Sequence, residues 1–94
     1  MAHAELTAQA LAAHGVPGYV PQHGADGGEC VAVLHETPVI VRYVLTLWAG
    51  RERAEVEQIS INGAAIPAAY FDADTLAELG RDCERSREAA GWSL

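Results

Sequence analysis

Between residues 39 and 48 the chain alternates with period two. Val39, Val41, Tyr43, Leu45 and Leu47 are all apolar, whereas Ile40, Arg42, Val44, Thr46 and Trp48 form a mixed set. Successive side chains of a strand point to opposite faces, so this pattern predicts a long strand with one face buried and the other partly wet. It is also the longest apolar stretch in the chain. At ten residues, with Arg42 inside it, it is too short and too charged to span a bilayer as a helix.

The flanking segments supply neighbours for this strand. Cys30–His35 is rich in β-branched residues and reads as a strand, joined through Glu36-Thr37-Pro38. Ala49–Arg53 reads as a turn, and Ala54–Ile61 as a returning strand. In that last segment Val56 falls on one parity and Ile59 and Ile61 on the other. A β-bulge near Glu57-Gln58 brings all three to one face. Asn62-Gly63 is a turn signal at which the sheet is expected to end, with Ala64–Phe71 as a connector anchored by Ile66, Tyr70 and Phe71. Residues 15–29 hold five glycines and two prolines. They read either as a long loop or as a loop carrying one short strand from Tyr19 to His23, with Gly24–Gly28 as a hairpin turn.

Two helices complete the pattern. Ala4–His14 is alanine-rich with Leu6, Ala10 and Ala13 at helical spacing, and Gly15-Val16-Pro17 stops it. A second helix follows Asp72, with Asp72, Asp74 or a Thr75–Glu78 capping box at its start. Leu76, Leu79, Cys83 and Ala90 form its apolar stripe, and Gly80 inside it marks a close approach to a neighbour. The expected fold is one α+β domain over residues 1–94. It has a three- or four-stranded antiparallel meander with an N-terminal and a C-terminal helix on one face. Alanine supplies 18 residues against 20 Val, Leu and Ile, so the core is small.

Charge narrows the function classes. Six Lys+Arg against 13 Asp+Glu give a formal net charge of −7, and every basic residue is Arg. Such a chain is a poor nucleic-acid binder. The start of the chain has no basic region followed by a sustained apolar run, which reads as a cytoplasmic protein without an export signal. Cys30 and Cys83 then read as reduced, buried thiols, with a disulfide open only if their elements pack together.

Candidate chemistry is sparse. His23, Cys30 and His35 lack the tight pair that preorganises a metal site. The odd separation of Cys30 and His35 places them on opposite faces of one strand, which weakens a nucleophile–base reading. Gly24–Gly28 has no Lys, carries Asp26 and leads into a strand, unlike a phosphate loop. The carboxylate pairs Glu55/Glu57 and Asp72/Asp74 fit a solvated strand face and a helix N-terminus. No metal, cofactor or catalytic residue is therefore expected.

The mixed strand face is the more informative feature. Ile40, Val44 and Trp48 around Arg42 and Thr46 have the composition of an interface centre. Exposed acids such as Glu55 and Glu57 offer a second contact surface for a basic partner. The segments Val56–Ile66 and Asp72–Leu79 resemble small acidic accessory proteins of phages and prophages of GC-rich bacteria, a group that includes anti-CRISPR proteins. That resemblance implies a non-catalytic binder that blocks a bacterial host complex, and it carries no functional residue over. The expected site is thus Ile40, Arg42, Val44, Trp48, Glu55 and Glu57. A homodimer using the same face is the alternative, and a small ligand-binding or enzyme domain using Cys30/His35 a further one.

Overall fold

The computed structural model describes residues 20–92. Five strands, β1 (Gln22–Gly24), β2 (Gly27–Leu34), β3 (Thr37–Trp48), β4 (Arg51–Ile61) and β5 (Ala64–Pro67), form one antiparallel sheet in the order β1-β2-β3-β4-β5. A 3-10 turn, Ala68–Tyr70, leads to the helix α1, Ala73–Ala89. The α+β class and the meander connection are as expected. The expected helix over Ala4–His14 lies outside the described residues.

Among the described residues the strand count is five rather than three or four. Asn62 and Gly63 both have positive φ (51° and 83°), and this two-residue turn folds Ala64–Pro67 back onto Gln58–Ile61. Asn-Gly is a hairpin signal, so the sheet continues through it. Two alanines and a terminal proline disguise β5, and Pro67 is tolerated because it ends an edge strand. The β3–β4 turn is likewise only Ala49-Gly50, so β4 begins at Arg51 rather than Ala54. Residues 15–29 contain a short strand, β1, and β2 starts already at Gly27.

The β-bulge falls where parity demands it. Arg42 pairs with Gln58 and Tyr43 with Val56, leaving Glu57 as the extra residue of β4. Val56 and Ile59 are consequently both buried, and Ile61 packs against the same core. The core is one layer between the sheet and α1: Cys30, Ala32, Val39, Val41, Tyr43, Val56, Ile59, Leu79 and Cys83. Asp72 caps α1 by accepting from the Thr75 N–H (3.1 Å) and hydroxyl (2.6 Å). On α1 the buried stripe departs from expectation. Leu79, Cys83 and Arg87 are buried at i, i+4, i+8, whereas Ala90 is exposed.

Gly80 sets the depth at which α1 sits. A Cβ there would lie 2.9 Å from the Ala54 carbonyl oxygen of β4. Glu84, one turn on, accepts from the Ala54 N–H and from Arg53 Nε, each at 3.0 Å. Helix and carboxylate together cover the polar groups of β4 beyond the end of β5, which otherwise invite strand pairing. Gly→Ala inside a helix ordinarily stabilises by about 1 kcal/mol. Gly80→Ala is expected to lower the melting temperature instead, because backbone rather than a flexible side chain meets the new methyl. A raised melting temperature would refute that packing.

The β2–β3 turn is strained. His35 (φ 48°) and Glu36 (φ 66°) both occupy the left-handed region, which Asn and Gly enter at less cost. The pair His35→Asn with Glu36→Gly should raise stability by about 1 kcal/mol. Urea titration at fixed pH checks this.

Candidate functional site

The pleat of β3 sorts its side chains. Val39, Val41 and Tyr43 face α1 and are buried, whereas Ile40, Arg42, Val44, Thr46 and Trp48 face away from it. Register assembles the rows of this outer face. Val31–Ile40–Ser60 is one row, Glu29–Arg42–Gln58 the next, and Val44–Glu55 a third. Four of the six expected residues, Ile40, Arg42, Val44 and Glu55, are therefore brought together. Arg42 reaches across to Glu29 at 3.3 Å, so the cation at the centre of the face is paired.

Trp48 stands apart at the β3–β4 hairpin tip, opposite Arg51 and 71% exposed. Leu47 beside it is 75% exposed, because the hairpin extends beyond the reach of α1. An open cleft of about 710 Å³ runs from this tip along β4 to the 3-10 turn and the first half of α1. Trp48, Val56, Phe71 and Leu76 line it together with several alanines, and Arg53, Arg81 and Glu84 add charge. Glu57 is exposed at the bulge, and having no β3 partner it takes its position from the bulge rather than from alternation.

A second constellation escapes the sequence pattern. His23 of β1, Tyr43 of β3, and Ser86 and Arg87 of α1 meet at one end of the helix. Arg87 is 2% exposed and donates to the Gly24 carbonyl (2.7 Å) and to Tyr43 Oη (3.2 Å), with its guanidinium 5.0 Å from the Trp92 ring centroid. Its Nε has no hydrogen-bond partner. His23 Nδ1 lies 2.6 Å from Tyr43 Oη and Nε2 3.2 Å from Ser86 Oγ.

Arg87 can only donate, so Tyr43 accepts from it and is free to donate its own proton to Nδ1. When Tyr43 donates to Nδ1, the neutral imidazole carries its hydrogen on Nε2 and donates to Ser86. The relay runs outward from Arg87, and in this tautomer His23 is not a base toward Ser86. Burial first, and the Arg87 cation second, push the His23 pKa below 6.5. Burial pushes the Tyr43 hydroxyl upward, partly opposed by its hydrogen bond from Arg87.

The sign of the pH effect follows. As pH falls below 6.5 the unfolded chain takes up the His23 proton before the folded one does, so stability declines until the folded imidazole also protonates. His23→Gln should remove that component of the decline. The difference between variant and wild type in urea midpoint, followed from pH 7.5 to 5, measures it. Parallel curves would show that His23 does not titrate differently on folding.

Cys30 and His35 are not brought together. Cys30 is fully buried against α1, its Sγ 2.6 Å from that of Cys83, while His35 is exposed in the β2–β3 turn. Among the described residues no cluster of three or more His, Cys, Asp or Glu is placed to hold a metal ion. No helix among them is long and apolar enough to cross a membrane. Comparison of the chain with protein-family models, curated proteins and solved structures found no match.

Proposed function

We propose that this chain is a non-enzymatic protein-binding module, a phage or prophage inhibitor acting in the bacterial cytoplasm by occluding a host complex. The observation that carries the reading is the outer sheet face. Among the described residues α1 covers only one side of the sheet, and the other presents half-buried aliphatics (Val31, Ile40, Val44) around the exposed Arg42, with the exposed Trp48 standing apart on the same strand at the hairpin tip. Aromatic and arginine side chains within a desolvated aliphatic patch are where binding energy concentrates. The net charge of −7, with Glu55 on this face, favours a basic partner surface.

The test is retention of a stoichiometric partner from nuclease-treated bacterial lysate, repeated with Trp48→Ala and Arg42→Glu. Each variant is expected to weaken capture by about tenfold or more while leaving the melting temperature within a few degrees. Two folded variants that bind like wild type would remove this face from the reading. The same aliphatic field also suits a two-fold homodimer. Sedimentation at several concentrations separates the two: a strict monomer at micromolar concentration excludes the dimer.

A further inference from the structure

We propose that Cys30 and Cys83 form an intramolecular disulfide that staples α1 to the sheet whenever the chain folds in the presence of an oxidising low-molecular-weight disulfide. The two sulfurs are 2.6 Å apart, inside the contact distance of non-bonded sulfurs and about half an ångström beyond an S–S bond. They come from elements 53 residues apart in sequence, β2 and α1, and both side chains are wholly buried. They are the only cysteines in the chain, so no competing intramolecular pairing exists. A metal dithiolate is the other chemistry open to two adjacent thiols. Among the described residues no third ligand is placed to complete such a site.

The exchange balances without any further reactant. One cysteine thiolate attacks the small disulfide RSSR, forming a protein–SR mixed disulfide and expelling RS⁻. The second cysteine thiolate attacks the protein-bound sulfur of that mixed disulfide and expels the other RS⁻. Two cysteine thiols are oxidised, one RSSR is reduced to two RSH, and the cysteine protons end on the released thiols. The hydrogen bond with the neighbouring Cys30 sulfur first, and burial second, hold the Cys83 thiol well above the ordinary range. Both sulfurs are thus shielded and the Cys83 thiol is held protonated, and exchange needs α1 to lift from the sheet or the chain to fold afresh. Without an oxidising disulfide the exchange has no second reactant and the pair stays a dithiol. Under oxidation the bond locks α1 at the turn next to Arg87.

The experiment refolds the denatured, reduced chain in a glutathione redox buffer, quenches with acid, and alkylates with N-ethylmaleimide under denaturing conditions. Intact-mass analysis reads the result. The proposal requires a monomer about 2 Da lighter than the reduced chain, free of maleimide and glutathione. Its melting temperature should exceed that of the reduced chain by an amount on the order of 20 °C, from the closure of a loop of this length. Two maleimide adducts, glutathione adducts or a disulfide-linked dimer would overturn it. Adding the same buffer to the folded, reduced protein should give the bond far more slowly, with subdenaturing urea accelerating it. Equal rates would contradict the shielding. Cys83→Ala should acquire one glutathione and gain no oxidative stabilisation. The wild-type mass is decisive even if that variant does not fold.

Discussion

Arg87→Ala should lower stability by about 4 kcal/mol, which for a domain of this size displaces the melting temperature by an amount on the order of 20 °C. Three losses combine. Gly24, which Arg87 ties to α1 at 2.7 Å, gives up a hydrogen bond from a charged donor, each of which contributes about 1.5–3 kcal/mol. Tyr43 Oη loses its second partner inside the core. The aliphatic stem, and the guanidinium that lies over the Trp92 ring, leave a void at a residue that is 2% exposed. Arg87→Met separates the void from the rest, because it keeps most of the volume while removing the donors and the cation over Trp92. It should cost about half as much. Thermal and urea unfolding read both variants. A charge buried with its Nε unpaired invites the opposite result, in which methionine stabilises. That outcome would show that the hydrogen bonds to Gly24 and Tyr43 do not repay desolvation of the guanidinium.

Gly28→Ala should cost about 3 kcal/mol, because the added methyl would overlap the Gln22 carbonyl and lie 2.9 Å from His23 Cα. Neither obstacle is the flexible end of a side chain. Relief requires β1 to move away from β2, which withdraws both Gly24 and His23 from the cluster on α1. Amide exchange is the sharper readout. Protection should vanish in residues 22–24 while β3 and β4 keep theirs. Retained β1 protection with unchanged stability would mean that the strand accommodates the methyl without separating. The two effects share the Arg87–Gly24 contact, so the double variant Gly28→Ala, Arg87→Ala should lose clearly less than the sum.

Much of the sheet is readable in the chain because its determinants are local. The period-two run over 39–48 defines β3 and its two faces, the parity break between Val56 and Ile59 locates the bulge, and Asp72 three residues before Thr75 marks the helix start. Each is a rule about neighbours within a few residues, and the backbone obeys it wherever the segment lies. β5 is the exception among local features, since Ala64–Pro67 carries weak strand preference and pairs because the Asn62-Gly63 turn returns it to β4.

The outer face was equally legible, as the complement of the buried one: Ile40, Arg42, Val44 and Glu55 follow from alternation and register alone. The polar cluster and the thiol pair were not. His23 meets Ser86 across 63 residues, Tyr43 meets Arg87 across 44, and Cys30 meets Cys83 across 53. Arg87 reads as one more charge on a mixed helical surface, yet it lies on the Leu79–Cys83 stripe and is buried. What places it there is the path of α1 over the sheet, held low against Ala54 at Gly80 and tied there by Glu84. Periodicity tells which side of a helix is turned inward. The strands beneath that side depend on where two packed layers cross, and that is a property of their contact surface rather than of any segment of the chain.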